Sequence, residues 1–218
     1  RNASDPYSVS DDRPAQLDEF GEYWRNNMGH IDRQFAAMFS GRDIGTYSFS
    51  GIAWLDVYCE YGRSSGDRTV GSFSYNAIGS YWSAASAAPY IGHELGHNMG
   101  SPHTHCYPTP VDQCYSGEGS CYSGPTSCPA SGYGTIMSYC HYQDNCSKAD
   151  EFHPTVQSFI EDRLATEMAA GCILPHSEPL GPEVETTPAG GSTLDFGLNG
   201  IGEDSGTIAV RVDNLGDE

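Results

Sequence analysis

Ile91-Gly92-His93-Glu94-Leu95-Gly96-His97-Asn98-Met99-Gly100-Ser101-Pro102-His103 is the stretch on which the reading of this chain turns. Residues His93 to His103 spell H-E-x-x-H-x-x-G-x-x-H. On a helix, residues four apart share a face, so His93 and His97 can converge on one point. Two imidazoles one turn apart suit tetrahedral zinc, with Zn–N of roughly 2.0–2.1 Å. Glu94 is rotated about 100° around the axis from His93, off the metal and toward a bound water. Gly100 accepts the left-handed backbone that ends a helix. Pro102 keeps the chain from re-entering one. That turn brings His103 back as a third ligand. Three protein ligands leave a fourth position open, the mark of a catalytic rather than a structural site.

The chain of 218 residues carries 29 Asp and Glu against 10 Lys and Arg, a formal charge of −19, with Lys148 its only lysine. An acidic surface of this kind repels nucleic acid and anionic membranes, so neither is an expected partner. No apolar run is long enough to span a bilayer, so no membrane insertion is expected. The eight cysteines are Cys59, Cys106, Cys114, Cys121, Cys128, Cys140, Cys146 and Cys172. An even count without CxxC pairs reads as disulfides and an oxidising compartment. The spacing predicts a core-facing helix over 14–39, with Leu17, Phe20, Tyr23, Trp24, Met28, Ile31, Phe35, Met38 and Phe39 recurring at helical intervals. Asp11 or Asp12 can cap it, and Pro14 suits its first turn. Residues 51–59 read as a strand and 69–76 as a weaker one. The active-site helix is expected over 87–99, with Pro89 in its first turn. Residues 101–133 form a loop dense in Cys, Gly, Pro and Ser, tolerable at that length only if disulfides hold it. Pro154 opens a last helix that stops at Gly171.

Residues 14–174 resemble the metzincin clan of zinc metalloproteases, and most closely its adamalysin (reprolysin-like) branch. The resemblance rests on His93–His103, on Gly51-x-Ala53…Cys59, on the ending Cys172-Ile173-Leu174, and on Gly134-Thr135-Ile136-Met137-Ser138-Tyr139, which is similar to the Met-turn under the zinc. It implies an α+β (α/β-like) catalytic domain, with a twisted mixed sheet, long helices, and a zinc cleft over an irregular, disulfide-rich C-terminal half. It implies a Cys59–Cys172 disulfide. It also implies that Gly51, Ile52, Ala53, Trp54 and Leu55 form the edge strand along which a peptide substrate lies antiparallel. Met137 is then a packing floor without a chemical role. Three features depart from the branch. Thr104 stands where an Asp follows the third His. Met137-Ser138-Tyr139 is closer to the serralysin and astacin Met-turn, which makes Tyr139 the position of an extra zinc ligand. The strands that precede the first helix in the family are absent, so the domain at 1–174 is expected to be N-terminally incomplete, with those strands upstream of Arg1. Among the remaining six cysteines, Cys106 is expected to join Cys140 or Cys146.

Residues 175–190 read as a linker. Residues 191–218 resemble the start of a truncated immunoglobulin-like β-sandwich, with strands at 192–197 and 207–212. The function implied is a secreted or cell-surface zinc endopeptidase, a monomer acting on proteins or peptides, in which Glu94 activates a zinc-bound water. One Zn2+ is expected, and Ca2+ as a further cofactor with no loop to place it. The S1′ pocket is expected between about His141 and Phe152. His30, His105, His141, His153 and His176 are expected to be surface or structural. A rival class, an adhesion module with an inert metal site, would lack the glutamate that stands here as Glu94.

Overall fold

The computed structural model describes residues 6–8, 12–41, 51–78 and 83–173, with two strand segments, 184–187 and 211–214, in a separate unit. The chain divides into two compact units, Arg1–Ile173 and Leu174–Glu218.

Helix α1 spans Arg13–Asn27. The Asp12 carboxylate caps it, accepting the Ala15 N–H at 2.9 Å, and Pro14 occupies its first turn, where the missing N–H costs nothing. Gln16, Leu17, Phe20 and Gly21 form its buried face. A side chain on Gly21 would meet the Phe73 ring at 3.0 Å, so glycine lets this helix sit close on the sheet. The helix expected over 14–39 is too long. Asn26, Asn27 and Gly29 are poor helix formers, and the Met28 N–H closes the last turn on the Trp24 carbonyl at 2.9 Å. Residues Ala36–Ser40 form strand β1 instead. Ile31, Phe35 and Phe39, placed by their spacing in the buried stripe of one helix, are 38 %, 38 % and 57 % exposed.

The sheet consists of β1, β2 (Gly51–Ala53) and β5 (Phe73–Ala77), with the hairpin strands β3 (Arg63–Ser65) and β4 (Arg68–Val70) between β2 and β5 in sequence. Its order is β1-β5-β2. Strand β1 runs parallel to β5, with Ala36 opposite Phe73, and β2 runs antiparallel, with Ile52 opposite Tyr75. The sheet is therefore mixed, with β2 at one edge among the described residues. Phe73, Tyr75 and Ala77 alternate along β5 and join Leu17, Phe20 and Ala36 in one core cluster, as expected for one face of a strand. The strand expected over 51–59 ends at Ala53, and the one expected over 69–76 resolves into β4 and β5.

After β2 the chain turns onto the C-terminal end of the second helix, α2 (Ala84–Asn98). The N–H groups of Asp56, Val57 and Tyr58 donate to the carbonyls of His97 and Asn98, each at 2.9 Å. Carbonyls in the last turn of a helix have no intrahelical i+4 donor and can take such partners. Asn98, fully buried, donates its side-chain amide to the carbonyls of Trp54 and Phe73. It thereby ties the helix to β5 and to the chain just past β2. Helix α2 begins three residues before the expected 87, capped by Ser83, so Pro89 lies inside the helix rather than in its first turn.

Helix α3 spans Pro154–Ala169, and the His153 imidazole caps it, accepting the Thr155 N–H. Val156 and Ile160 pack with Ile136 and Met137 in a second core cluster. The Cys172 N–H donates to the Glu167 carbonyl across Gly171 (φ +79°), and Cys172 is bonded to Cys59. Arg163 reaches Asp56 at 2.9 Å and pairs with Glu167. The implied Cys59–Cys172 bond is thus present. The expectation for Cys106 is corrected: it joins Cys121, while Cys114 joins Cys140 and Cys128 joins Cys146. In the separate unit, β8 (Val184–Thr187), with the pair β6 (Tyr133–Gly134) and β7 (Ser147–Lys148) preceding it in the chain, runs antiparallel to β9 (Arg211–Asn214). Residues 184–187 are therefore strand where a linker was expected. The expected strand 192–197, and 207–210 of the other, lie outside the described residues, as does His176.

Candidate metal centre and active site

The end of α2 shows why the third histidine returns. Gly100 has φ +90°, its N–H donates to the His97 carbonyl at 2.9 Å, and the Ser101 N–H donates to the Gly96 carbonyl at 3.0 Å. This is the paired 5→2 and 6→1 closure of a helix by a left-handed residue. It reverses the chain within two residues and sends Pro102 and His103 back along the helix.

Each of the three histidines is fixed through Nδ1. That of His93 lies 2.7 Å from the Ile136 carbonyl, that of His97 2.9 Å from the Ser101 carbonyl, and that of His103 2.8 Å from Glu118 Oε2. All three partners are acceptors, so Nδ1 donates in each case and Nε2 keeps its lone pair. The Nε2 atoms of His97 and His103 are 3.2 Å apart, and one ring nitrogen from each histidine lies within 4.8 Å of the others. Two lone pairs facing each other at that distance suit a shared cation. Burial lowers the pKa of all three, and the neighbouring histidines lower those of His93 and His97 further; His97 is held at about 4. All three are therefore neutral near neutral pH. These residues could hold a metal ion.

Glu94 is 5 % exposed. Burial pushes its pKa up to about 8, against the pull of Lys148 and Arg13. Its carboxylate lies against the edge strand: a side chain on Gly51 would collide with Glu94 Oε1. Glycine there lets the carboxylate and β2 share one wall of the cleft.

The segment expected to form the Met-turn packs against α2. Met137 is fully buried, and a side chain on Gly96 would come within 2.6 Å of its sulfur. The backbone N–H and the hydroxyl of Thr104 both donate to the Met137 carbonyl, at 3.1 and 3.3 Å. Thr104 thus joins the turn after the third histidine to the Met-turn. The Tyr139 ring packs on His103, with centroids 4.2 Å apart, and stacks on His93. Burial raises the Tyr139 pKa, and Glu118 and Glu94 raise it further.

Sequence reasoning missed Glu118. One of its oxygens accepts from His103 and, at 3.0 Å, from His105 Nε2. Burial alone would raise the Glu118 pKa, but the charges and hydrogen bonds of the two histidines together hold it below the usual range. His105, expected to be a spare residue, is fully buried and stacks on His103 with centroids 5.5 Å apart. Cys106 adjoins this cluster but is committed to a disulfide. The only foothold in the sequence was general: a ligating histidine usually donates its other N–H to a carboxylate or carbonyl. Of the expected edge-strand residues, Gly51, Ile52 and Ala53 lie in β2, whereas Trp54 and Leu55 lie past its end. A pocket beside Glu94 and His93 is lined by Gly51, Tyr90, Tyr139, His141, Tyr142 and Lys148. It meets the segment expected to wall S1′ at His141, Tyr142 and Lys148.

A convergent three-histidine site with a buried carboxylate one residue from a ligand is the arrangement of a metallohydrolase. The family model of reprolysin type described as Metallo-peptidase family M12 matches residues 2–152. The chain belongs to that family and is a reprolysin-like metallopeptidase of mixed α+β fold. No curated protein matches it significantly. Four disulfides are consistent with an extracellular protein, and no helix among the described residues is long and apolar enough to cross a membrane.

Proposed function

We propose that the protein is a secreted zinc endopeptidase, with His93, His97 and His103 as the metal ligands and Glu94 as general base. The observation that carries this reading is the orientation of the three imidazoles. Each gives Nδ1–H to a fixed acceptor, which leaves three Nε2 lone pairs for one ion. A neutral all-nitrogen set suits zinc in a catalytic site. When bound, zinc would supply Lewis-acid polarisation to the scissile carbonyl and the attacking water.

The chain's own residues do the rest. Strand β2, an edge of the sheet among the described residues, takes an extended peptide, whose backbone adds as a further strand. Glu94, at the wall formed by Gly51, takes a proton from the attacking water and returns it to the leaving amine. A carboxylate buried enough to bind a proton near neutral pH suits both halves of that transfer. Glu118 holds His103 in its ligating orientation. In this reading Tyr139 would be a further ligand, supported by its ring contacts with His93 and His103.

The test is Glu94→Gln in the full chain. Metal content by elemental analysis should be unchanged, because the ligands are intact. Peptide cleavage should fall by at least ~10²–10⁴-fold, the share of a general base. Cleavage within tenfold of wild type at equal metal content would refute the assignment.

A further inference from the structure

The pocket beside Glu94 holds a charge that the proteolytic reading does not use. Lys148 is the only lysine in a chain of net charge −19. It is the last residue of β7, held by the parallel pairing of Gly134 with Lys148. From there it reaches across to α2, where its Nζ lies 4.7 Å from the centre of the Tyr90 ring. Tyr90 stands one helical turn before Glu94 and on the same face. The ammonium group thus sits on the wall of the substrate cleft. It is half-buried, and burial lowers its pKa against the opposing pull of Asp150 and Glu94. Among the described residues Lys148 forms no ion pair. Arg13 also bears on Glu94 but does not line the pocket.

An empty pocket leaves this ammonium to water. A substrate side chain entering the pocket displaces that water. An apolar side chain would leave the cation poorly solvated against aromatic rings, which is costly. A carboxylate would replace the lost hydration with a charge-assisted hydrogen bond. The phenol of Tyr142 in the pocket lining adds a hydroxyl able to donate to the same carboxylate. Elsewhere the net negative charge disfavours acidic peptides, so selection for them has to be local.

We propose that Lys148 makes this pocket selective for an acidic side chain, so that the enzyme cleaves on the N-terminal side of Asp or Glu. The proposal rests on the endopeptidase reading above and names its substrate class. It concerns the residue just after the scissile bond because the pocket lies between Glu94 and the chain that follows the Met-turn.

The experiment uses the metal-loaded full chain and one peptide sequence varied only at that position, with Glu, Gln, Asp, Asn, Leu and Lys. Wild type should cleave the Glu and Asp peptides with kcat/KM at least ~10-fold above Gln and Asn, the scale of a desolvated charge pair. Lys148→Met should bring each acid–amide pair to within about twofold. Lys148→Glu should reverse the order in favour of the Lys peptide. Ratios within one variant cancel any effect of Lys148 on Glu94 itself. Equal rates for acid and amide in wild type, or a preference that survives Lys148→Met, would overturn the proposal. If wild type cleaves none of the peptides, the endopeptidase reading fails on its own. Fluorescence anisotropy of the Glu and Gln peptides on the metal-loaded Glu94→Gln protein then decides about Lys148. Tighter binding of the Glu peptide that is lost on adding Lys148→Met sustains it, and equal affinities overturn it.

Discussion

Removing the Glu118 carboxylate tests whether the third ligand is positioned from outside the metal shell. In Glu118→Ala, His103 Nδ1 and His105 Nε2 lose the one oxygen they share, at 2.8 and 3.0 Å. Loss of such an outer partner typically weakens metal binding ~10–100-fold, or about 1.4–2.8 kcal/mol. The Glu118 side chain is 39 % exposed, so water can enter and partly replace it at His103. The expected loss of affinity is therefore near the lower end, ~10-fold. A water in the place of the shared oxygen would also reach His105 Nε2, so the metal-free protein should lose about 1 kcal/mol of stability, the lower end of the cost of an unpaired buried donor. Glu118→Gln keeps an acceptor oxygen but loses the charge, and charge-assisted bonds are roughly twice as strong as neutral ones. It should show about half of each effect. The assays are competition for zinc against a chelator of known affinity, and denaturant unfolding of the chelator-stripped protein. A Glu118→Ala protein that binds zinc within twofold of wild type would refute the positioning role.

Two further outcomes follow from the same coordinates. The Cys59–Cys172 bond closes a separation of 113 residues, so replacing both cysteines by alanine should cost about 2–5 kcal/mol in denaturant unfolding; a cost under ~0.5 kcal/mol would count against it as a main staple. In the metal-free protein His97 is held at about 4 against 6.5, so the unfolded chain takes up that proton first. The stability His97 contributes is present above about pH 6.5 and lost as pH falls through about 4. Glu94, raised from 4.5 to about 8, has the opposite sign: its contribution is present below about pH 4.5 and lost as pH rises through about 8. Metal-free Glu94→Gln should therefore gain on wild type in denaturant midpoint between about pH 5 and pH 8, and a constant difference across that range would contradict the burial of Glu94.

The fold was legible where it is a matter of local spacing, and less so where tertiary pairing decides. The capped start of α1 stands in Asp12 and Pro14, and the closure of α2 stands in Gly100. The far half of the expected helix misled because Ile31, Phe35, Met38 and Phe39 satisfy a helical period by coincidence. What makes Ala36–Ser40 a strand is the parallel ladder to Phe73–Ala77, whose partners lie more than thirty residues away. Asn26, Asn27 and Gly29 were the local signal for a break, and a count of apolar positions overrides them. Likewise, residues 54–59 carry strand-like composition but leave β2, and the N–H groups of Asp56, Val57 and Tyr58 bond the end of α2 instead of a neighbouring strand.

The site divides along the same line. His93, Glu94 and His97 are set by helical spacing, and His103 by a two-residue turn, so their convergence can be read from four letters and a glycine. Glu118 cannot be read that way. It lies fifteen residues beyond His103 in a loop without regular structure, and its position depends on how that loop is folded back. The Cys106–Cys121 bond closes the loop directly around it, while Cys114–Cys140 ties its middle to the segment after the Met-turn. The spacing of six cysteines does not select that pairing, and Cys106 joined to Cys140 or Cys146 would have placed Glu118 elsewhere. The convergence of the three histidines is thus a property of local sequence. The carboxylate that orients one of them is a property of the disulfide pattern. Reduction of the Cys106–Cys121 bond should accordingly weaken metal binding through His103 even though no ligand is touched.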